Sequence, residues 1–193
     1  MNEPIIEAAI TYIGKLFCGN AGGHDDKHSL RVYRLAMRIA DSEPECDRVI
    51  VALGALLHDA DDYKLFDTTD NANARAFLKA NGIQDDIIER ICEAINSVSF
   101  SKNRTTAPST IEGRIIQDAD RLDALGAIGI ARTFAFGGEH GRSIESTIRH
   151  FHEKLLLLKD GMNTPEAKAI AKERHAYLED FLSRYEREEN LTD

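Results

Sequence analysis

Hydrophobic positions in this chain recur every three or four residues and almost never alternate. Ile6, Ala9, Ile10, Ile13, Leu16 and Phe17 draw one apolar stripe near the N-terminus, the period of an amphipathic helix. A second helix is expected over about 26–41, stopped near Pro44. The third, from Cys46 to about Ala60, contains the unbroken apolar run from Val49 to Leu57 and reads as buried on every side. Asn71 to Ala80 predicts a fourth, with Asn81 and Gly82 as its C-terminal stop. Ile83 to Asn96 follows with Ile87, Ile88, Ile91 and Ile95 on one side. A long helical segment from Ser109 to about Phe136 carries Ile115, Ile116, Ala119, Leu122, Leu125 and Ile128 as its buried positions.

The last third predicts an antiparallel helix pair over about 143–189. Ile144, Ile148, Phe151, Leu155 and Leu158 form one face, and Gly161 ends that helix. Thr164 and Pro165 then supply an N-cap and a first helical position. The expected inner face of the second helix is Ala167, Ile170, Ala171, Tyr177, Phe181 and Tyr185, and the acidic tail after Arg187 is expected to fray. Two polar segments, Val98–Pro108 and Phe136–Arg142, read as loops over a cleft. The expectation is an all-α bundle forming a single domain over 1–193.

Composition narrows the partners. The chain has 193 residues, 24 basic and 33 acidic, for a net charge of −9. A nucleic-acid backbone or an anionic membrane needs a basic face, so neither is expected as a partner. A small phosphorylated ligand needs only a local basic cluster. Three scattered cysteines, Cys18, Cys46 and Cys92, lack metal-site spacing and read as reduced, mostly buried thiols of a cytoplasmic protein. The start of the chain shows no signal-peptide pattern, and no apolar run reaches the roughly 20 residues of a membrane span. Oligomeric state is not legible.

Chemistry enters at His58 and Asp59, which close the buried apolar run. A histidine and a carboxylate there are costly to bury unless something neutralises them. His28 and Asp120 are the other candidate ligands. Two imidazoles and two carboxylates suit Mn²⁺, Mg²⁺, Fe²⁺, Co²⁺, Ni²⁺ or Zn²⁺. Four protein ligands on a six-coordinate ion leave room for water and a substrate oxygen, and such an ion acidifies water toward neutral pH. Asp120 and Asp123 are three apart on one helix, so two buried carboxylates there need a cation or several donors. His24 and His140 remain weaker ligand candidates, while His150, His152 and His175 read as surface or packing residues. Arg31, Lys64, Lys102, Arg104 and Arg121 are candidates for phosphate oxygens, and Arg31 or Arg121 could instead orient the carboxylates.

Three stretches, Gly23–Val32, Leu56–Lys64 and Asp118–Arg132, resemble in order the HD-domain superfamily of metal-dependent phosphohydrolases, and within it a small bacterial subfamily of predicted hydrolases. The resemblance implies one all-helical HD domain, with its metal-site core over about 24–140, and one divalent metal held by His28, His58, Asp59 and Asp120. Mn²⁺ is favoured, because some relatives are Mn²⁺-dependent nucleoside triphosphate pyrophosphohydrolases. The implied substrate is a small phosphate ester or anhydride, above all a nucleotide. Lys64 and Arg121 would stabilise charge on the phosphoryl oxygens, and Asp62, Asp123 or Glu93 would accept a proton. Arg31, His24, Lys102 and Arg104 would contact substrate. Asp26 and Lys27 stand where the family often has an aromatic residue, which bears on substrate contacts and not on the metal. The alternatives are a non-catalytic ligand sensor on the same fold and a di-iron oxygenase. The latter needs more ligands than the sequence offers.

Overall fold

The computed structural model describes residues 3–19, 25–98 and 107–192. Among these residues all regular structure is helical and no strand occurs, as the periodicity predicts. The chain divides into two compact units, Met1–Asp120 and Arg121–Asp193.

The first unit is arranged around α3 (Arg48–Leu57). Every residue from Ile50 to Leu57 is buried, which accounts for its lack of a polar face. Full burial of each Leu, Ile or Val contributes roughly 1.5–3 kcal/mol, so this helix is a main source of the unit's stability. Around it pack α1 (Glu3–Leu16), α2 (Asp26–Ala40) and α5 (Asp85–Asn96), with α4 (Ala72–Ala80) against α5. The third helix is shorter than Cys46–Ala60. Asp47 caps it by accepting from Val49 N at 3.0 Å, and His58 is its C-cap residue, so Asp59 and Ala60 lie in a turn. The Asp47 backbone N–H donates to the buried Glu112 at 2.9 Å, which ties the start of α3 to the start of α6 (Ile111–Asp123). Gly54 lets α6 approach closely. A Cβ there would meet Ile116 Cδ1 at 2.5 Å.

The expected long helix from Ser109 to Phe136 is two helices. It breaks at Ala124–Leu125, and α7 (Gly126–Glu139) begins at Gly126 with φ +71°, a conformation that favours glycine. Ile128 consequently lies on an outward face and is 45% exposed, not buried as the single-helix pattern predicts. The second of the two expected loops, Phe136–Arg142, is mostly the end of α7. Gly137 is buried because a Cβ there would sit 2.6 Å from Thr147 Oγ1, so it serves close packing against α8 (Ile144–Glu153). The 144–158 stripe divides into α8 and a 3₁₀ helix, Leu155–Gly161. There Leu155 and Leu158, three apart, share the buried side. Ile144 opens α8 and is exposed.

α9 (Pro165–Glu189) starts at the predicted Thr164 cap, whose side chain accepts from Ala167 N. Its buried positions are Ala167, Ile170, Ala171, His175, Leu178 and Leu182. Tyr177 is exposed, because the 171, 175, 178, 182 progression places it on the opposite side. Phe151, Phe134 and Phe181 form the aromatic centre of this unit, with ring centroids 5.8–6.0 Å apart. Of the cysteines, only Cys92 is buried. Cys46 is half-buried and Cys18 exposed. Among the described residues no helix is long and apolar enough to cross a membrane.

Candidate metal centre

Four side chains from three helices and one turn converge in the first unit. His28 lies in the first turn of α2, where the Asp25 cap accepts from its backbone N at 2.7 Å. His58 ends α3, with its Nδ1 2.8 Å from Ala55 O. A carbonyl oxygen only accepts, so the hydrogen of the neutral ring sits on Nδ1 and Nε2 carries a lone pair. That Nε2 is 3.2 Å from His28 Nε2. Asp120, in the last turn of α6, brings Oδ1 to 3.4 Å from His28 Nε2 and 3.8 Å from His58 Nε2. Asp59 sets one carboxylate oxygen 3.5 Å from each imidazole Nε2.

Both imidazoles are almost completely buried. Burial raises the Asp120 pKa, but the hydrogen bond from His28 and the charges of His58 and His28 outweigh it and hold the carboxyl below its usual value. The donor set fits a divalent cation. Metal–ligand bonds of about 2.1 Å place neighbouring donors about 3.0–3.4 Å apart, close to the separations found here. His28, His58 and Asp120 each offer one ligand atom within 4.8 Å of the others. Two facing ring nitrogens, one of them a lone pair, are what an electron-pair acceptor between them would satisfy.

The other sequence candidates take various places. Asp62 is half-buried in the turn after the His-Asp pair, and its Oδ1 accepts from Lys64 N at 2.8 Å. Lys64 is exposed. Arg31 is half-buried on α2, three residues beyond His28. Arg121 and Asp123 belong to the second unit and are engaged there. Arg121 is buried and donates to Gly161 O, and Asp123 receives Arg132 Nη1 at 2.5 Å. Glu93 is exposed and accepts from Ser109 Oγ at 2.9 Å. His140 is exposed and stacks on Phe136. His150 is half-buried, and burial followed by the charges of Lys154 and Arg142 lowers its pKa. His175 is buried beside Glu179, and His152 is exposed. His24, Lys102 and Arg104 lie outside the described residues, as does most of the Val98–Pro108 loop.

Two supporting residues escape a sequence reading. Asp61 accepts from Asn73 N at 2.9 Å and Ala74 N at 3.0 Å, and so pins the turn after the His-Asp pair to the start of α4. Nothing local signals a carboxylate capping a helix that starts eleven residues later. Asp25 does have a signal: its position three before His28 is that of an N-cap.

The HD domain family description matches residues 25–125. The YpgQ protein of Bacillus subtilis (strain 168) is 38% identical over 186 residues, covering 92% of this chain and 90% of that protein. A crystal structure of Bacillus subtilis YpgQ in complex with ADP matches at TM-score 0.82 and 35% identity, over 95% of this chain and 97% of that one. A crystal structure of an HD-superfamily hydrolase from Bacillus thuringiensis matches at TM-score 0.81 and 36% identity, over 98% and 99% of the two chains. All four converging side chains fall inside the matched stretch, and the chain belongs to the HD domain family.

Proposed function

We propose that this protein is a metal-dependent phosphohydrolase that cleaves a phosphate anhydride or ester of a nucleotide, with nucleoside triphosphates as the leading substrates and Mn²⁺ as the leading metal. The observation that carries this reading is the approach of the two imidazole Nε2 atoms to 3.2 Å beside the Asp59 and Asp120 carboxylates. His28, His58, Asp59 and Asp120 would hold the ion, and the two carboxylates offset its charge. A bound divalent ion supplies a Lewis acid that polarises a phosphoryl oxygen and lowers the pKa of water. The protein's own residues do the rest. Ala55 O keeps the His58 lone pair on Nε2. Arg31 and Lys64 bind phosphoryl oxygens, together with Lys102 and Arg104. Asp62, in the turn that follows the His-Asp pair, takes up the proton. The ADP complex of YpgQ supports a nucleotide as the ligand.

A panel of nucleoside mono-, di- and triphosphates, sugar phosphates and an aryl phosphate, assayed with Mn²⁺, tests this. The expected outcome is release of phosphate or pyrophosphate from a nucleotide at a rate well above the rest. Absence of turnover across the whole panel by metal-loaded protein would sink the enzyme reading in favour of a ligand sensor.

A further inference from the structure

The turn after the His-Asp pair holds an aromatic side chain out in solvent on a fixed support. Asp62 N donates to Asp59 O at 3.1 Å, and Asp62 O accepts from both Leu65 N and Phe66 N at 2.9 Å. Its Oδ1 accepts from Lys64 N. One residue thus closes the turn at three points. Both ends are anchored. Asp61 binds the first turn of α4, and Phe66 packs on the buried Phe17 with ring centroids 6.0 Å apart. Between these anchors Tyr63 is 77% exposed, and Lys64 Nζ lies 5.7 Å from the centre of its ring.

A large aromatic ring usually lies against apolar neighbours, because its area is costly to leave in water. Here the ring is neither buried nor carried on a loose loop. A platform already held in place loses little conformational entropy when a flat partner covers it. Tyr63 follows Asp59 by four residues, at most about 14 Å of extended chain, a span that one small phosphorylated molecule can bridge. Of the phosphorylated molecules with a planar face, the nucleotide is the one proposed above as the substrate. We propose that Tyr63 is the specificity residue that stacks on the base of the nucleotide substrate. This rests on the nucleotide reading above.

The test uses Mn²⁺-loaded full-length protein and titration calorimetry with two probes, an α,β-methylene nucleoside triphosphate and inorganic tripolyphosphate. The second has the phosphates without the base. Tyr63→Ala is expected to weaken the nucleotide analogue by about tenfold, the scale of one base–aromatic stack, and tripolyphosphate by less than about twofold. Tyr63→Phe keeps the ring and should restore analogue affinity to within about twofold of wild type. Unchanged analogue affinity in Tyr63→Ala, equal losses for both probes, or no analogue binding by wild type would each overturn the inference. Turnover measured in parallel separates the two claims. Nucleotide hydrolysis indifferent to Tyr63→Ala removes the stacking role and keeps the function. Tyr63-dependent binding without hydrolysis does the reverse.

Discussion

Asp120 and Asp123 are three residues apart near the end of α6, and the fold gives them different partners. Asp120 faces His28 and His58, two rings that can share it with a cation. Asp123 is almost wholly buried and meets Arg132 of α7. The break at Gly126 makes the difference. With φ +71° it starts a new helix direction, and α7 then returns Arg132 to Asp123. Arg174 secures the same break by donating to Leu122 O at 2.6 Å, with its stem beside Gly126. A buried carboxylate next to a guanidinium is an internally neutralised pair. Among the described residues Asp120 has no guanidinium beside it and shares two ring nitrogens with the Asp59 carboxylate, a donor set that suits a cation.

Substitutions should pull these two carboxylates apart experimentally. Asp120→Ala has the largest expected effect, a loss of Mn²⁺ affinity of at least about a hundredfold with helical content near that of wild type. Metal analysis after dialysis, with circular dichroism alongside, reads both. Full metal occupancy in that variant would take Asp120 out of the centre. Asp123→Ala should do the opposite. Breaking a buried pair by removing one partner costs about 3–5 kcal/mol, and the partial exposure of Arg132 reduces this to about 2–3 kcal/mol. Denaturant unfolding should show that loss while the folded protein binds Mn²⁺ as before. A stable Asp123→Ala protein with impaired metal binding would reverse the two assignments.

Asp25→Ala sharpens the comparison from the other side of the centre and has the smallest expected effect. It removes the cap on the His28 backbone without touching a ligand. Loss of such a cap costs about 1 kcal/mol of stability, and Mn²⁺ affinity should fall by less than about tenfold. Asp25→Asn should recover most of both, since Asn also caps. An Asp25→Ala protein with unchanged melting temperature would mean that the cap adds nothing to α2.

Much of this arrangement is legible in the chain because its information is local. Periodicity marks most of the helices, and the apolar run Val49–Leu57 marks the helix that the first unit buries completely. Thr164 and Gly82 mark a start and a stop, since capping depends on a few neighbouring residues. The order of His28, His58-Asp59 and Asp120 is likewise written along the chain and points to the four side chains that converge. What needed the tertiary structure is which neighbour each polar group meets. Asp120 and Asp123 have the same chemistry and nearly the same context, and only the turn at Gly126 separates their partners. Asp61 caps a helix it reaches through space. His175 is buried and Tyr177 exposed because the packing of α9, not side-chain polarity, chooses its inner face. Helix formation follows from contacts three or four residues apart, whereas pairing of buried charges is set by distant segments brought together when the core closes.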